Sequence, residues 1–229
     1  WFVAFAPSGA FAYVTDFGRG TVMRLRASDD TVVNTIPVGL NPRSVSFSPD
    51  GVFAYVAGED GFVRRIQTSN DTVTATIAVG GLVTSIDISP SGSYAYVANF
   101  GLAAVQRIDT NSDRVVATVS LPVPYFVDIA PSGDFAYVSN HYAKTVTRLR
   151  TSDNAIAATT AVGDTPLGLR ISPDSSCAFV SVYADNVVKR IRTDSDVVAG
   201  TIPLAGPYGV AIATDMHSAF VSSISTGRC

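Results

Sequence analysis

An all-β fold built from repeated four-stranded antiparallel sheets is what three observations on this 229-residue sequence predict. A turn proline recurs at Pro7, Pro49, Pro90, Pro131 and Pro173, at intervals of 41 or 42 residues, and the pattern continues at Thr214. Each interval holds four short segments rich in Val, Ile, Thr and Tyr, separated by turn residues and without the 3.6-residue apolar spacing of a helix. Both faces of segments such as "AYV" are apolar, so each small sheet needs a cover on both sides. A radial arrangement, with every sheet packed between two neighbours, meets that need, and the predicted fold is therefore a β-propeller.

The chain reads as one propeller domain over residues 1–229, with units at about 1–40, 41–80, 81–122, 123–163 and 164–204 and a partial unit at 205–229. The second unit shows the pattern plainly, as "RSVSFS", "VFAYVA", "GFVRRIQ" and "TVTATIAV" divided by "PDG", "GED" and "TSND". The first unit starts at once with an innermost-type strand, "WFVAFAPSG", and the last supplies only "YGVAIATD" and "SAFVSSIS". Five complete blades and a half blade are expected, drawn from a six- or seven-bladed ring. Sheet edges left open would invite self-assembly through the incomplete last blade.

Composition excludes several function classes. With 16 basic and 19 acidic residues spread along the chain, there is no basic stripe for a phosphate backbone, and nucleic acid is not an expected partner. No apolar run reaches the 18 or so residues that cross a bilayer as a helix, so membrane insertion is not expected. Cys177 and Cys229 make no C-x-x-C motif, and whether they pair is open. His141 and His217 fall in different units and no zinc-type spacing occurs, so neither a metal nor another cofactor is expected.

The stretches "SPDGVFAYVAG", "SPSGSYAYVAN", "APSGDFAYVSN" and "DTVVNTIPVG" resemble the YVTN family of β-propeller repeats, over essentially the whole chain. The resemblance implies the propeller fold and a setting at the cell surface or in a secreted protein. The chain departs from the family pattern at the end of the third strand, where "RLR", "RIQ" and "RIR" replace the usual Ile-Asp-Thr, which survives only in "RIDT" at 107–110.

Comparison between units separates what a blade needs from what varies. Arg24, Arg65, Arg107, Arg148 and Arg190 form one column, read as structural: the stem packs while the guanidinium meets a carboxylate or carbonyl of the neighbouring blade. Successive turns of a meander alternate between its two ends. One end carries the Pro-(Ser/Asp)-Gly turns and the "ASDD", "TSND", "TNSD" and "TSDN" hairpins, read as structural with solvated aspartates. The other end varies: Phe17, Glu59, Phe100, His141 and Tyr183 share one aligned loop position, Tyr142 follows His141, and Arg43, Tyr125, Phe126 and Tyr208 come from the loops before each first strand. Aromatic and arginine groups on scaffolded loops suit recognition of a protein, peptide or glycan, and the competing reading is that the rings plug gaps between blades.

Catalytic residues are not expected. Glu59 is the only glutamate, and Asp87 and Asp128, at equivalent inner-strand positions, read as inter-blade acceptors with Arg170 balancing their charge. The expected function is a non-enzymatic recognition or adhesion module. Two other readings stay open: a structural repeat of a surface layer or filament, and a propeller lyase or quinone-dependent oxidoreductase.

Overall fold

In a computed structural model, residues 2–213, 215–216 and 218–224 are described, and they form 22 strands in six antiparallel sheets without a helix. Five sheets have four strands in simple meander order and the sixth has two. The sheets are β1–β4 (Val3–Phe5, Phe11–Asp16, Thr21–Arg26, Val32–Pro37), β5–β8 (Pro42–Phe47, Phe53–Gly58, Phe62–Gln67, Thr72–Ala78) and β9–β12 (Val83–Ile88, Tyr94–Asn99, Ala104–Asp109, Arg114–Ser120). They continue as β13–β16 (Pro124–Ile129, Phe135–Asn140, Thr145–Arg150, Ile156–Ala161), β17–β20 (Pro166–Ile171, Cys177–Val182, Val187–Arg192, Val198–Pro203) and β21–β22 (Pro207–Ile212, Ala219–Ser223). Each sheet falls inside one predicted repeat. The sequence positions Thr214, His217 and Cys229 lie outside the described residues.

The chain divides into two compact units, Trp1–Ser120 and Leu121–Cys229. In the first, Tyr13, Val22 and Ile36 of one sheet close against Val45, Val56 and Ile66 of the next, and a second cluster joins Tyr55, Val63 and Ile77 to Val83, Ile86, Val97 and Ile108. In the second, Tyr137, Val146 and Val162 meet Leu169, Val180 and Ile191. A core made between sheets explains why single strands are apolar on both faces: the six residues of β10 are all buried. The outermost strands, with one face open, alternate, as in the exposed–half-buried run of Arg114–Ser120.

Three arginines of the column, Arg24, Arg65 and Arg148, close these interfaces. Arg24 Nη1 donates to Asp71 Oδ1 at 3.0 Å and to the Thr68 carbonyl at 2.8 Å, both in the following sheet. Arg65 meets Asp113 at 2.9 Å, and Arg148 meets Asp196 at 3.2 Å and the Thr193 carbonyl at 2.6 Å. Beneath four of the five guanidinium groups lies the ring that opens the second strand, with Arg24 over Phe11 at 3.8 Å, Arg65 over Phe53 at 4.6 Å, Arg107 over Tyr94 at 4.0 Å and Arg148 over Phe135 at 4.2 Å. Beside the arginine, the register skips one outer-strand residue in all five complete sheets, so the outer strand bulges there. The residue paired with the arginine is small in four of them (Ala75, Ala117, Ala158 and Gly200), which leaves room for the stem.

The carboxylates that receive these arginines correct one expectation. Asp71, Asp113 and Asp196 lie in the third-to-fourth hairpins, expected to be solvated, yet the Asp71 side chain is only 8% exposed. It accepts from Arg24, from the Tyr13 hydroxyl and from Asn34 Nδ2 at 3.0 Å. The reason is the turn: Asp30, Asp71, Asp113, Asn154 and Asp196 all take φ of 55–61°, a left-handed position that Asp and Asn tolerate. In the following-blade cases, that backbone aims the side chain back at the preceding sheet.

The tyrosine in this latch makes stability sensitive to alkali. Tyr137 is 2% exposed and its hydroxyl donates to Asp196 Oδ1 at 3.3 Å. Burial, chiefly, pushes its hydroxyl up to about 12, with Arg148 pulling the other way. A raised folded value stabilises fully below the ordinary tyrosine value near 10 and is lost as pH rises towards 12, because the unfolded chain ionises first. We predict that tyrosinate absorbance rises together with unfolding over that window and that Tyr137→Phe weakens the dependence. A tyrosine titration complete before any loss of β-sheet circular dichroism would contradict this.

Candidate functional site

Two clusters form at the variable end of the sheets, one in each unit. In the first, Arg43 on β5 forms an ion pair with Glu59, its Nε donating to Oε1 at 2.6 Å, while Asn41 Nδ2 donates to Oε2 at 2.9 Å. The Arg43 guanidinium also stands 5.1 Å from the centre of the Phe17 ring. Phe17, Arg43 and Glu59 are thus brought together, and the charges of Arg43 and Glu59 satisfy one another.

The second cluster is aromatic. The Tyr125 and Tyr208 hydroxyls are 2.7 Å apart, the His141 ring stacks on Tyr125 at 5.7 Å and 29°, and Tyr142 meets His141 edge-on at 4.7 Å. Tyr142 is 67% exposed, so the chain of rings runs from a hydrogen-bonded hydroxyl pair out to solvent. Tyr125 and Tyr208 can meet because β17, between them in sequence, carries Gly168. A Cβ there would collide with the Tyr208 carbonyl oxygen and lie 2.9 Å from Gly209 Cα. Burial holds the His141 imidazolium below its usual range, and Asp164 opposes the shift. Asp164 itself takes Lys144 Nζ at 2.6 Å, and its backbone N–H donates to Asp185 at 3.1 Å.

Other predicted positions behave differently. Arg43, Tyr125, Phe126 and Tyr208, expected on loops, begin innermost strands. Phe126 packs against the core of the second unit, with Arg170 5.4 Å from its ring centre, and so belongs to the gap-filling reading. Phe100 and Tyr183 are half-buried; the Phe100 carbonyl accepts from Ala103 N at 3.3 Å, and Tyr183 N donates to Thr165 at 3.0 Å. Asp128 accepts from Arg170 and from Ile171 N at 2.7 Å, while Asp87 takes Ser46 Oγ at 3.2 Å. Sequence reasoning passed over Lys144, Asp164 and Asp185. The loop "VGDTP" at 162–166, against "VGLNP" at 38–42, was the available signal for Asp164.

These blades, stacked through arginine latches, define a β-propeller. Residues 6–124 match the model of the family described as the Cytochrome D1 heme domain, which is just over half of the chain, and the chain belongs to that family. Two solved structures share the fold at 16% identity. Hydrazine synthase of Kuenenia stuttgartiensis has a TM-score of 0.71, with 98% of this chain and 95% of that one covered. A protein of unknown function from Desulfotomaculum acetoxidans DSM 771 reaches 0.84, with 93% and 72% covered. No curated protein matches the sequence.

A haem such as the family description names needs an axial His, Met, Cys or Tyr on the wall of its pocket. The one described histidine, His141, is engaged by two tyrosine rings. The groove of about 840 Å³ beside Phe11, Arg24 and Asp71 has no His, Met, Cys or Tyr on its wall to serve as an axial ligand.

Proposed function

We propose that the protein is a non-enzymatic recognition module that binds a glycan, peptide or protein through the variable end of its blades. The observation that supports this reading most is the Tyr142–His141–Tyr125–Tyr208 chain in the second unit, which combines an exposed ring with a hydroxyl pair fixed by its neighbours. Aromatic groups held in this way bring contact area and hydrogen bonding at low entropic cost. The first cluster suits this role less, because Arg43 and Glu59 already neutralise one another. A setting at the cell surface or in a secreted assembly follows from the YVTN resemblance and belongs to the same proposal.

The test is binding of the purified chain to a combined glycan, peptide and protein array, beside Tyr142→Ala and a Tyr125→Phe/Tyr208→Phe double variant. Selective binding that falls at least about tenfold in both variants is expected, the equivalent of about 1.4 kcal/mol. Stoichiometric haem uptake with a Soret band that disappears in His141→Ala would overturn the reading, as would an array without any ligand for the folded chain.

A further inference from the structure

We infer that the cavity between the sheets β5–β8 and β9–β12, at the end that carries the Pro-(Ser/Asp)-Gly turns, binds a neutral pyranose sugar that accepts from the Tyr55 hydroxyl and donates to Asp50. The inference concerns the first unit alone and is independent of the recognition site proposed for the second. Both sheets are complete, with four strands each. The cavity between them has a volume of about 360 Å³, within the ~300–1,000 Å³ of small-molecule sites. Its counterpart between β13–β16 and β17–β20, beside Phe135 and Tyr137, measures only about 190 Å³.

A hydrogen bond distinguishes the two places. Tyr13 and Tyr137 donate their hydroxyls to the hairpin aspartates Asp71 and Asp196. Tyr55 holds the same register position opposite its latch arginine, but there Asp113 accepts from Arg65, and the Tyr55 hydroxyl donates to no described residue. Tyr55 is 2% exposed and lines the cavity, and burial raises its hydroxyl above the ordinary range, so it stays a donor. A phenol buried this far calls for an acceptor, and the cavity has room for one. On the same wall, Asp50 Oδ1 accepts from Ser48 Oγ at 2.6 Å and from Val52 N at 3.0 Å, which holds the carboxylate below its usual range and leaves Oδ2 open. Ser132 stands at this position in the smaller cavity. Opposite lie Asn111 and the Ser91 and Ser93 hydroxyls, 2.7 Å apart, and half-buried Phe53 supplies an apolar side. Donors and acceptors around an aromatic wall match a ring of hydroxyls with a C–H face. Charge selects a neutral one: Asp50 repels an anionic sugar, and the Arg65 guanidinium, 4.6 Å from the centre of the Phe53 ring, repels a cationic one.

The probes are D-glucose, D-galactose, D-mannose and N-acetyl-D-glucosamine, each titrated into the full chain and followed by saturation-transfer NMR. At least one is expected to bind saturably, with a dissociation constant of about 1 mM or tighter. Tyr55→Phe and Asp50→Ser should each weaken that binding about tenfold, because each removes one hydrogen bond in a largely enclosed site. Tyr142→Ala, in the recognition site, should leave it unchanged. Both cavity variants should keep the parent's circular dichroism and melting temperature, since no described residue accepts from the Tyr55 hydroxyl and serine already occupies the turn position at 91 and 132. D-glucuronate and D-glucosamine should bind about tenfold more weakly than the best neutral sugar. Absence of saturable binding by all four probes would overturn the inference. So would binding indifferent to both cavity variants, binding lost in Tyr142→Ala, or tighter binding of either charged sugar.

Discussion

Replacing Asp71 by alanine is expected to destabilise the first unit by about 3–5 kcal/mol, the range for breaking one side of a mostly buried charge pair. The cost exceeds that of one hydrogen bond because the Asp71 carboxylate serves three donors: Arg24, the Tyr13 hydroxyl and Asn34. Removing it leaves a guanidinium and a phenol facing each other between two sheets, with the Arg24 side chain only 23% exposed. Asp71→Asn should cost less, since asparagine tolerates the same left-handed backbone and occupies this position at 154. Denaturant unfolding of the three proteins measures the difference. An alanine variant within 1 kcal/mol of the parent would mean that solvent replaces the lost acceptor and that the latch adds little beyond its packing.

Gly168→Ala is expected to act on both stability and the aromatic cluster. The added methyl has no room beside the Tyr208 carbonyl and Gly209 backbone, and these are strand atoms that cannot rotate away. Overpacking of this kind costs about 1–3 kcal/mol, and the upper end is expected where backbone must move. The strand that moves carries Tyr208, so the hydroxyl contact with Tyr125 should open as well. Gly200→Ala is the control, because its new methyl would meet Arg190 at the ordinary distances of 3.7 and 3.8 Å. Thermal unfolding should separate the two variants, and tyrosine fluorescence should change only in the first. Equal melting temperatures would show that β17 and β21 have slack that their close approach conceals.

Much of the fold was legible because the repeat solves one packing problem many times. The segments "RSVSFS" and "VFAYVA" differ by one residue at each end from the strands Pro42–Phe47 and Phe53–Gly58, and the arginine column stood out because it recurs at a fixed place. The hairpin aspartates were misjudged for a physical reason. An Asp in a tight turn has the same sequence signature whether it faces solvent or the preceding sheet, and only the turn's left-handed backbone and the neighbour's arginine decide between them.

The candidate site was legible in residue type but not in grouping. Tyr125, His141 and Tyr208 were singled out as variable aromatics, yet nothing local states that residues 83 positions apart share a hydrogen bond. Phe126 looked equivalent to Tyr125 and instead joined the core, because successive residues of a strand point to opposite faces. The sequence by itself determined the period, the strands, the meander order and the column of arginines, since all of these follow from local propensity and repetition. Only the tertiary structure decided which carboxylate each arginine holds, which rings pack and which meet, and why Gly168 must lack a side chain, because these depend on distances between blades that no single repeat encodes.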